Sequence, residues 1–450
     1  MVWFFGCESP GFCVLLYSYV FILFIIYSYS MTSGYKNSSQ VDLDNIFSLR
    51  ATVDPSANAT GYVTSNGLDL ASRYYPLQAG MTPLAATGFN TLVSGVSTDL
   101  CNIFAPLPIW YTVGTGIVTG TRIESICAVD ASNIYAAGIF TNAGGAAVTN
   151  VAKWNGTAWS SLGFSSAAFA NNALSITITA IPGSNVFMSY QIRNVGAGRD
   201  EPYISMYNFS TWSNLTGVIA AMGATTTSKY INDMCLLDSN TLFVCADTFS
   251  ASVGLAKYTI STATWAQIGT GLSTSGSVII SIAKLSSTQI LVGGVLSGAI
   301  TGIAVFNNTN SQWTQFIASY SFGEINSISV VSPTVVFVGS STGLHRINDA
   351  GTGWVNTAIT NGWSSANVTS VYAVNSTNVF IAGDFNTSPY RYVARWNGTS
   401  AVSLANGVAT GSVLYSVAGT GTRNVYFGGT FTSVNNLSGA LSALRIAKWA

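Results

Sequence analysis

The chain has 450 residues, of which 48% are hydrophobic and only 7% charged, with 16 basic residues, 16 acidic residues and a net charge of zero. Ordinary soluble domains carry about 25% charged residues, so Ser, Thr, Asn, Gly and Tyr must cover the surface of this one. That leaves no electrostatic footprint for nucleic-acid binding. A neutral surface of hydroxyls, amides and rings suits sugar contacts, or tight protein assembly in which few charges are desolvated.

Residues 1–30 contain an apolar, aromatic-rich stretch of 18 residues from Phe12 to Tyr29, at the lower limit for crossing a bilayer. Glu8 is the only charge before it, so the basic start of a signal peptide is missing. Lys36 and Arg50 follow it, which favours a cytoplasmic C-terminal side. Three readings stay open: a signal segment cleaved near Ser28-Tyr29-Ser30, a retained membrane anchor through residues 12–29, or upstream sequence ahead of a start at Met31.

Residues 31–107 hold a short repeat. Gly34-Tyr35, Gly61-Tyr62 and Gly88-Phe89 lie 27 residues apart, and each leads to a D-L-x-x-x-[FY] stretch. The first has Asp42, Leu43, Ile46 and Phe47, the second Asp69, Leu70 and Tyr74, the third Asp99, Leu100, Ile103 and Phe104. Asp ahead of apolar residues at i, i+3 and i+4 fits a capped single helical turn. So small a unit cannot bury its own core, so it must stack or dock on something larger. This module resembles repeats in structural proteins of large DNA viruses of algae and protists. The resemblance implies attachment to a capsid, fibre or coat, with the rest of the chain displayed outward from a virion. A decorated linker is the alternative.

A second repeat fills residues 108–450. AVDASNIYAAG from Ala128, AIPGSNVFMSY from Ala180, LLDSNTLFVCA from Leu236 and KLSSTQILVGG from Lys284 share one pattern with VVSPTVVFVGS from Val330, AVNSTNVFIAG from Ala373 and VAGTGTRNVYFGG from Val417. The starts lie 52, 56, 48, 46, 43 and 44 residues apart. Each copy reads as an apolar strand, a polar turn and a strand rich in Val, Ile, Tyr and Phe. An aromatic strand and a Trp strand follow. A strand–turn–strand period in the forties is the signature of a β-propeller blade, so the fold is all-β with seven blades.

The Trp strand is marked by Trp159, Trp212, Trp265, Trp313 and Trp354 in blades 1 to 5, opposite Trp154, Tyr207, Tyr258, Phe306 and Ile347. Blade 6 offers Trp396 with Val402 at the outer position. The Asn155-Gly156 pair is a strong hairpin signal, because both residues tolerate positive φ. Blade 7 runs to ALRIAKWA and still lacks a strand at Ala450. IWYTVGTGI, with Trp110 and Gly114, matches TWAQIGTGL around Trp265. The Trp110 strand is therefore expected to complete blade 7, joining the chain's two ends and removing two exposed sheet edges. The double glycines Gly293-Gly294 and Gly428-Gly429, and the aromatic-x6-Trp spacing of Tyr258/Trp265 and Phe306/Trp313, resemble kelch-like propellers. One loop, from Asn348 to Trp354, resembles the Asp-box of sialidase-type propellers, though Asp349 there reads as a turn cap.

Catalytic residues are scarce. The single histidine, His345, cannot supply the two or three imidazoles of a usual zinc, copper or iron site, and no G-x-S-x-G elbow accompanies it. No cofactor or metal is implied. Arg122, Arg193, Arg199, Arg346, Arg391, Arg395, Arg423 and Arg445 are scattered among the blades. A sialidase- or lyase-like enzyme would need them to converge with carboxylates at the channel mouth. Cys235 and Cys245 flank the Asp238–Thr241 turn, which places them across two strands for a disulfide, or as two buried thiols. Cys101 and Cys127 have no evident partner. Eleven N-x-[ST] sequons resemble those of a secreted glycoprotein, although Asn155 and Asn397 are required by their turns. The expected function is non-enzymatic: a virion or cell-surface protein binding a protein partner or a glycan, or else a membrane-anchored adhesin.

Overall fold

The computed structural model describes residues 109–450, apart from 166–172, 195–198, 223–229, 247–253, 269–271, 273–277, 297–299, 318–321, 350–353, 360–366 and 410. The docking-motif residues Asp42, Leu43, Ile46, Phe47, Asp69, Leu70, Tyr74, Asp99, Leu100, Ile103 and Phe104, like the apolar segment 12–29, lie outside the described residues.

Seven antiparallel four-stranded sheets follow one another along the chain, the first with an added two-residue strand, Ala146–Ala147, paired to its second strand. They span residues 119–161, 173–214, 231–267, 278–317, 325–359, 368–403 and 414–449, and make a seven-bladed β-propeller. The seventh sheet takes its outer strand, Trp110–Thr112, from the opposite end of the chain. It pairs antiparallel with Ile446–Trp449, Trp110 facing Trp449. Ile109 and Ala450 exchange both backbone hydrogen bonds at 3.0 and 3.2 Å. The expected closure is therefore present.

Apolar residues on both faces of every sheet place the core between blades rather than within one. Seven apolar clusters fill the seven seams, each joining one blade to the next. The second strands supply the large side chains: Tyr135, Phe187, Phe243, Phe337, Phe380 and Tyr426 stand at equivalent positions and point into the following seam. Each buried ring of this size contributes about 1.5–3 kcal/mol.

The paired glycines have two separate tasks. A Cβ on Gly428 would meet Ile123 Cγ2 at 2.6 Å and Ile126 Cδ1 at 2.9 Å, so its absence lets blade 1 close on blade 7. A Cβ on Gly429 would lie 2.2 Å from the Val413 carbonyl of its own inner strand. Gly293 and Gly294 are placed the same way, against Ile325 of the next blade and the Val278 carbonyl. Overpacking a tight core costs about 1–3 kcal/mol, so Gly428→Ala is expected to lower the unfolding free energy by that amount. A thermal melt indistinguishable from wild type would refute this packing role.

Two local expectations are corrected. Trp212, Trp265 and Trp313 face Tyr207, Tyr258 and Phe306, and Trp159 faces Trp154. In blade 5, however, Ile347 faces Asn356 while Trp354 faces Asp349, so the two strands stay paired two residues beyond the point an Ile347–Trp354 pairing requires. In blade 6 Ala401, not Val402, stands opposite Trp396. The turn at Asn155 has positive φ only at Gly156. Asn155 instead accepts the backbone N–H groups of Thr157 and Ala158 at 2.9 and 2.7 Å, so its side chain closes a four-residue turn.

Candidate functional site

The two ends of the ring are built differently. At one end, the inner strand turns into the second through two to five residues, and the third into the outer through four. Asx turns close many of these: Asn208, Asn307, Asn375 and Asn397 each accept a backbone N–H two residues on. Such turns are short, polar and self-satisfied. At the other end the connections mostly run from 6 to 16 residues, the longest being those before Ile231 and Ile446. Long connections on a rigid scaffold are where ligand contacts concentrate. Exposed apolar side chains occur there too. Val118, Val413 and Tyr415 (38% exposed) stand at the starts of the inner strands of adjacent blades 1 and 7, with Val295 at the end of a second strand.

Below this mouth, the inner strands form a hydrogen-bonded belt. Every inner strand has a register shift at the same place, just before Ser125, Thr177, Asp233, Ser281, Ser327, Ser370 or Ser416. The bulge turns that residue toward the next blade. Ser125 accepts the Ile178 N–H, Ser281 that of Ile328, Ser327 that of Val371, Ser370 that of Val417 and Ser416 that of Ile126, all within 3.0–3.2 Å. Asp233 does the same for Ile282 at 3.0 Å. The bulged residues add bonds of their own. Asn232, Asn326 and Thr369 donate to the Ile279, Val368 and Leu414 carbonyls of the blade ahead.

Asp233 is the one carboxylate at these seven positions. Burial pushes it up to about 6, against the pull of its hydrogen bonds from Ile282, Met234 and Ser281. These belt residues were missed in the sequence. Their signal is an apolar-x-[Ser/Asp]-apolar stretch nine to twelve residues before each second strand, as in Ile123-Glu124-Ser125-Ile126 and Ile325-Asn326-Ser327-Ile328. That pattern is easily read as ordinary strand alternation.

The outer rim has a latch. Trp159 Nε1 donates to the Val113 carbonyl at 2.9 Å, Trp212 Nε1 to Leu162 at 2.8 Å and Trp110 Nε1 to Leu404 at 3.0 Å. In each case the acceptor lies three residues beyond the start of the previous blade's outer strand. The indole N–H groups of Trp265, Trp313 and Trp396 have no acceptor among the described residues. Trp354 packs its ring on Phe316 of blade 4 at 4.0 Å.

The other candidate residues are not brought together. His345 is buried in the third strand of blade 5, where Nε2 meets Thr342 Oγ1 at 3.1 Å and the ring stands edge-on to Phe322. Burial holds it below its ordinary value, with Asn356 opposing. Arg122 pairs with Glu124 on its own strand, and Arg445 donates to the Ile117 carbonyl. Arg346 and Arg395 lie in third strands, Arg423 in a short turn and Arg391 in a connection of blade 6. The side chains of Arg193 and Arg199 lie outside the described residues. Among the described residues no three His, Cys, Asp or Glu side chains are grouped to hold a metal ion, and no helix is long and apolar enough to cross a membrane.

Cys235 and Cys245 are both thiols, not a disulfide. The expected pairing fails by two residues: Cys235 faces Phe243 and Cys245 faces Asp233. Diagonal neighbours on one sheet face stand about 7–8 Å apart, beyond disulfide reach. Burial pushes the Cys235 thiol up to about 12 and that of Cys127 to about 11.

No family model matches the chain, and no curated protein matches it. Solved structures do. YCF48 from Cyanidioschyzon merolae is 12% identical with a TM-score of 0.48, covering 76% of this chain and 98% of that one. The WD40 repeats of RRP9 are 11% identical with a TM-score of 0.48, covering 73% and 95%. A YCF48 bound to D1 peptide is 13% identical with a TM-score of 0.39, covering 62% and 95%. At these identities and scores they say nothing of this chain's ligand.

Proposed function

We propose that this chain is a non-enzymatic binding propeller whose long-connection end receives a protein or glycan partner. The single observation that carries this reading is the asymmetry of the ring, with self-satisfied turns at one end and long connections with exposed Val118, Val413 and Tyr415 at the other. Rigid blades stapled by the belt present those connections with little reorganisation, which favours recognition. The resemblance of residues 34–107 to viral repeats supports docking on a capsid, fibre or coat protein, with a virion or cell surface as the setting. The paired glycines and ring–Trp pairs support a kelch-like relationship.

The test exposes the full-length protein to a panel of immobilised glycans and candidate coat proteins, alongside glycoside turnover assays. A partner should be retained, and Tyr415→Ala should weaken it by about tenfold, without product formation. Reproducible turnover of any glycoside, lost on mutating one Arg or Tyr, overturns the non-enzymatic reading.

A further inference from the structure

Beside the closing strand, at the outer rim of blades 6 and 7, lies a pocket of about 350 Å³. It is lined by Ser388, Pro389, Arg391 and three asparagines, Asn406, Asn435 and Asn436. Its size falls within the range of about 300–1,000 Å³ found for ligand sites. The hairpin of Ser433–Asn436 and Gly439–Ser442 forms one wall. Asn436 fixes that hairpin to the closing strand: its Oδ1 accepts the Trp110 N–H at 2.8 Å and its Nδ2 donates to the Trp110 carbonyl at 3.2 Å. The second wall is tied to the first, because Asn406 donates its N–H to the Asn435 carbonyl and Asn435 returns a bond to the Gly407 carbonyl.

Arg391 is held in the third wall by its backbone. Its N–H donates to the Thr387 carbonyl at 3.1 Å and its carbonyl accepts from Val408 at 3.1 Å. Arg391 and Tyr392 have φ of 39° and 72°, a left-handed region that is costly for non-glycine residues and clusters at functional sites. The half-buried guanidinium nevertheless has no hydrogen bond or ion pair among the described residues, and no carboxylate lines the pocket. The side-chain amide of half-buried Asn435 likewise makes no hydrogen bond among the described residues.

We propose that this pocket binds an acidic sugar, with its carboxylate on Arg391 and its ring hydroxyls on Asn435 and Asn406. A guanidinium fork matches a carboxylate in two parallel hydrogen bonds. A single cation suits a monoanion, and the lining has no second cation to balance a phosphate. Carboxamides offer both a donor and an acceptor, as sugar hydroxyls require. Pro389 and Ala440 are too little apolar surface for a peptide side-chain groove. The site is at the rim rather than the channel mouth, so it stands apart from the partner-binding reading above.

The experiment titrates the full-length protein with glucuronate, followed by calorimetry, with glucose, acetate and sulfate as separate arms. Glucuronate should bind at millimolar concentration or below, at least about tenfold tighter than the other three. Arg391→Gly should abolish that binding while leaving the melting temperature unchanged or slightly higher, since glycine accepts the left-handed backbone. Asn435→Ala, which removes no side-chain hydrogen bond among the described residues, should weaken glucuronate binding without loss of folding. No binding of glucuronate at about 10 mM, equal binding of acetate or sulfate, or full binding by Arg391→Gly would each overturn the proposal.

Discussion

Trp110→Ala is expected to cost about 3–5 kcal/mol, the range for removing a fully buried Trp. Trp110 is 1% exposed, and its ring meets Phe427 and Trp449 edge-on at 5.2 Å each. Its indole N–H reaches blade 6 at Leu404, and its backbone N–H and carbonyl are both held by Asn436. One side chain thus ties the closing strand to two blades. Trp265→Ala makes the contrast. Trp265 occupies the equivalent position in blade 3, but it is half-buried, its indole N–H has no acceptor among the described residues and its ring pairs with Tyr258. Its loss should cost about 1–2 kcal/mol, close to the removal of an ordinary partly buried group. Denaturant midpoints at a constant slope measure both. Equal losses would show that the indole latch and the closure add nothing.

The second large effect is electrostatic and sits in the belt. Wild-type stability should carry a component that falls as pH rises between about 4 and 6. The Asp233 carboxyl is raised from 3.8 to about 6 in the fold, so the folded state holds the proton more tightly than the unfolded chain. Its contribution is therefore fully present below about 3.8 and lost as pH rises through about 6. His345 has the opposite sign. Its value is lowered from 6.5, so its contribution is present above that value and fades as pH falls. Asp233→Ser isolates the first component. Serine is what five of the other six blades use, and its hydroxyl keeps an acceptor for the Ile282 N–H. A rise from 3.8 to about 6 corresponds to about 3 kcal/mol at most, reduced to about 1–2 kcal/mol by solvent screening at a half-buried group. The serine variant should therefore gain on wild type by that amount between pH 4 and 7. Asp233→Ala should lose about 2–4 kcal/mol throughout, because the N–H groups of Ile282 and Met234 are both left without a partner. Parallel pH profiles for wild type and Asp233→Ser would dismiss the belt carboxylate as the source.

The blade count, the closing strand and the ring–Trp pairs were legible because they depend on period and side-chain size, which the chain displays directly. The paired glycines were visible as a motif, but their reason was not: it lies in Ile123 and Ile126, some 300 residues away in sequence. Pairing at Trp354 and Ala401 was misjudged because hairpin register depends on turn geometry, and so was the Cys235–Cys245 pair. The belt escaped notice for a different reason. A bulge changes which face a serine occupies, and alternation alone cannot report a skipped residue. The rim pocket draws on the connections of blades 6 and 7, and nothing local in the sequence links them. The turn asparagines also account for sequons: Asn155, Asn208, Asn307, Asn375 and Asn397 are placed by the backbone bonds they accept.

The belt has a sense of rotation. In every belt bond that joins a side chain to the backbone of another blade, the side chain belongs to one blade and the backbone group to its successor, never the reverse. The seam where blade 2 meets blade 3 breaks this rule. There the Met234 N–H donates to Asp233 in its own blade, leaving Thr177 outside the sequence of handovers among the described residues. A ring fastened in one direction, with one seam left off the chain of fasteners, has a built-in place to begin opening.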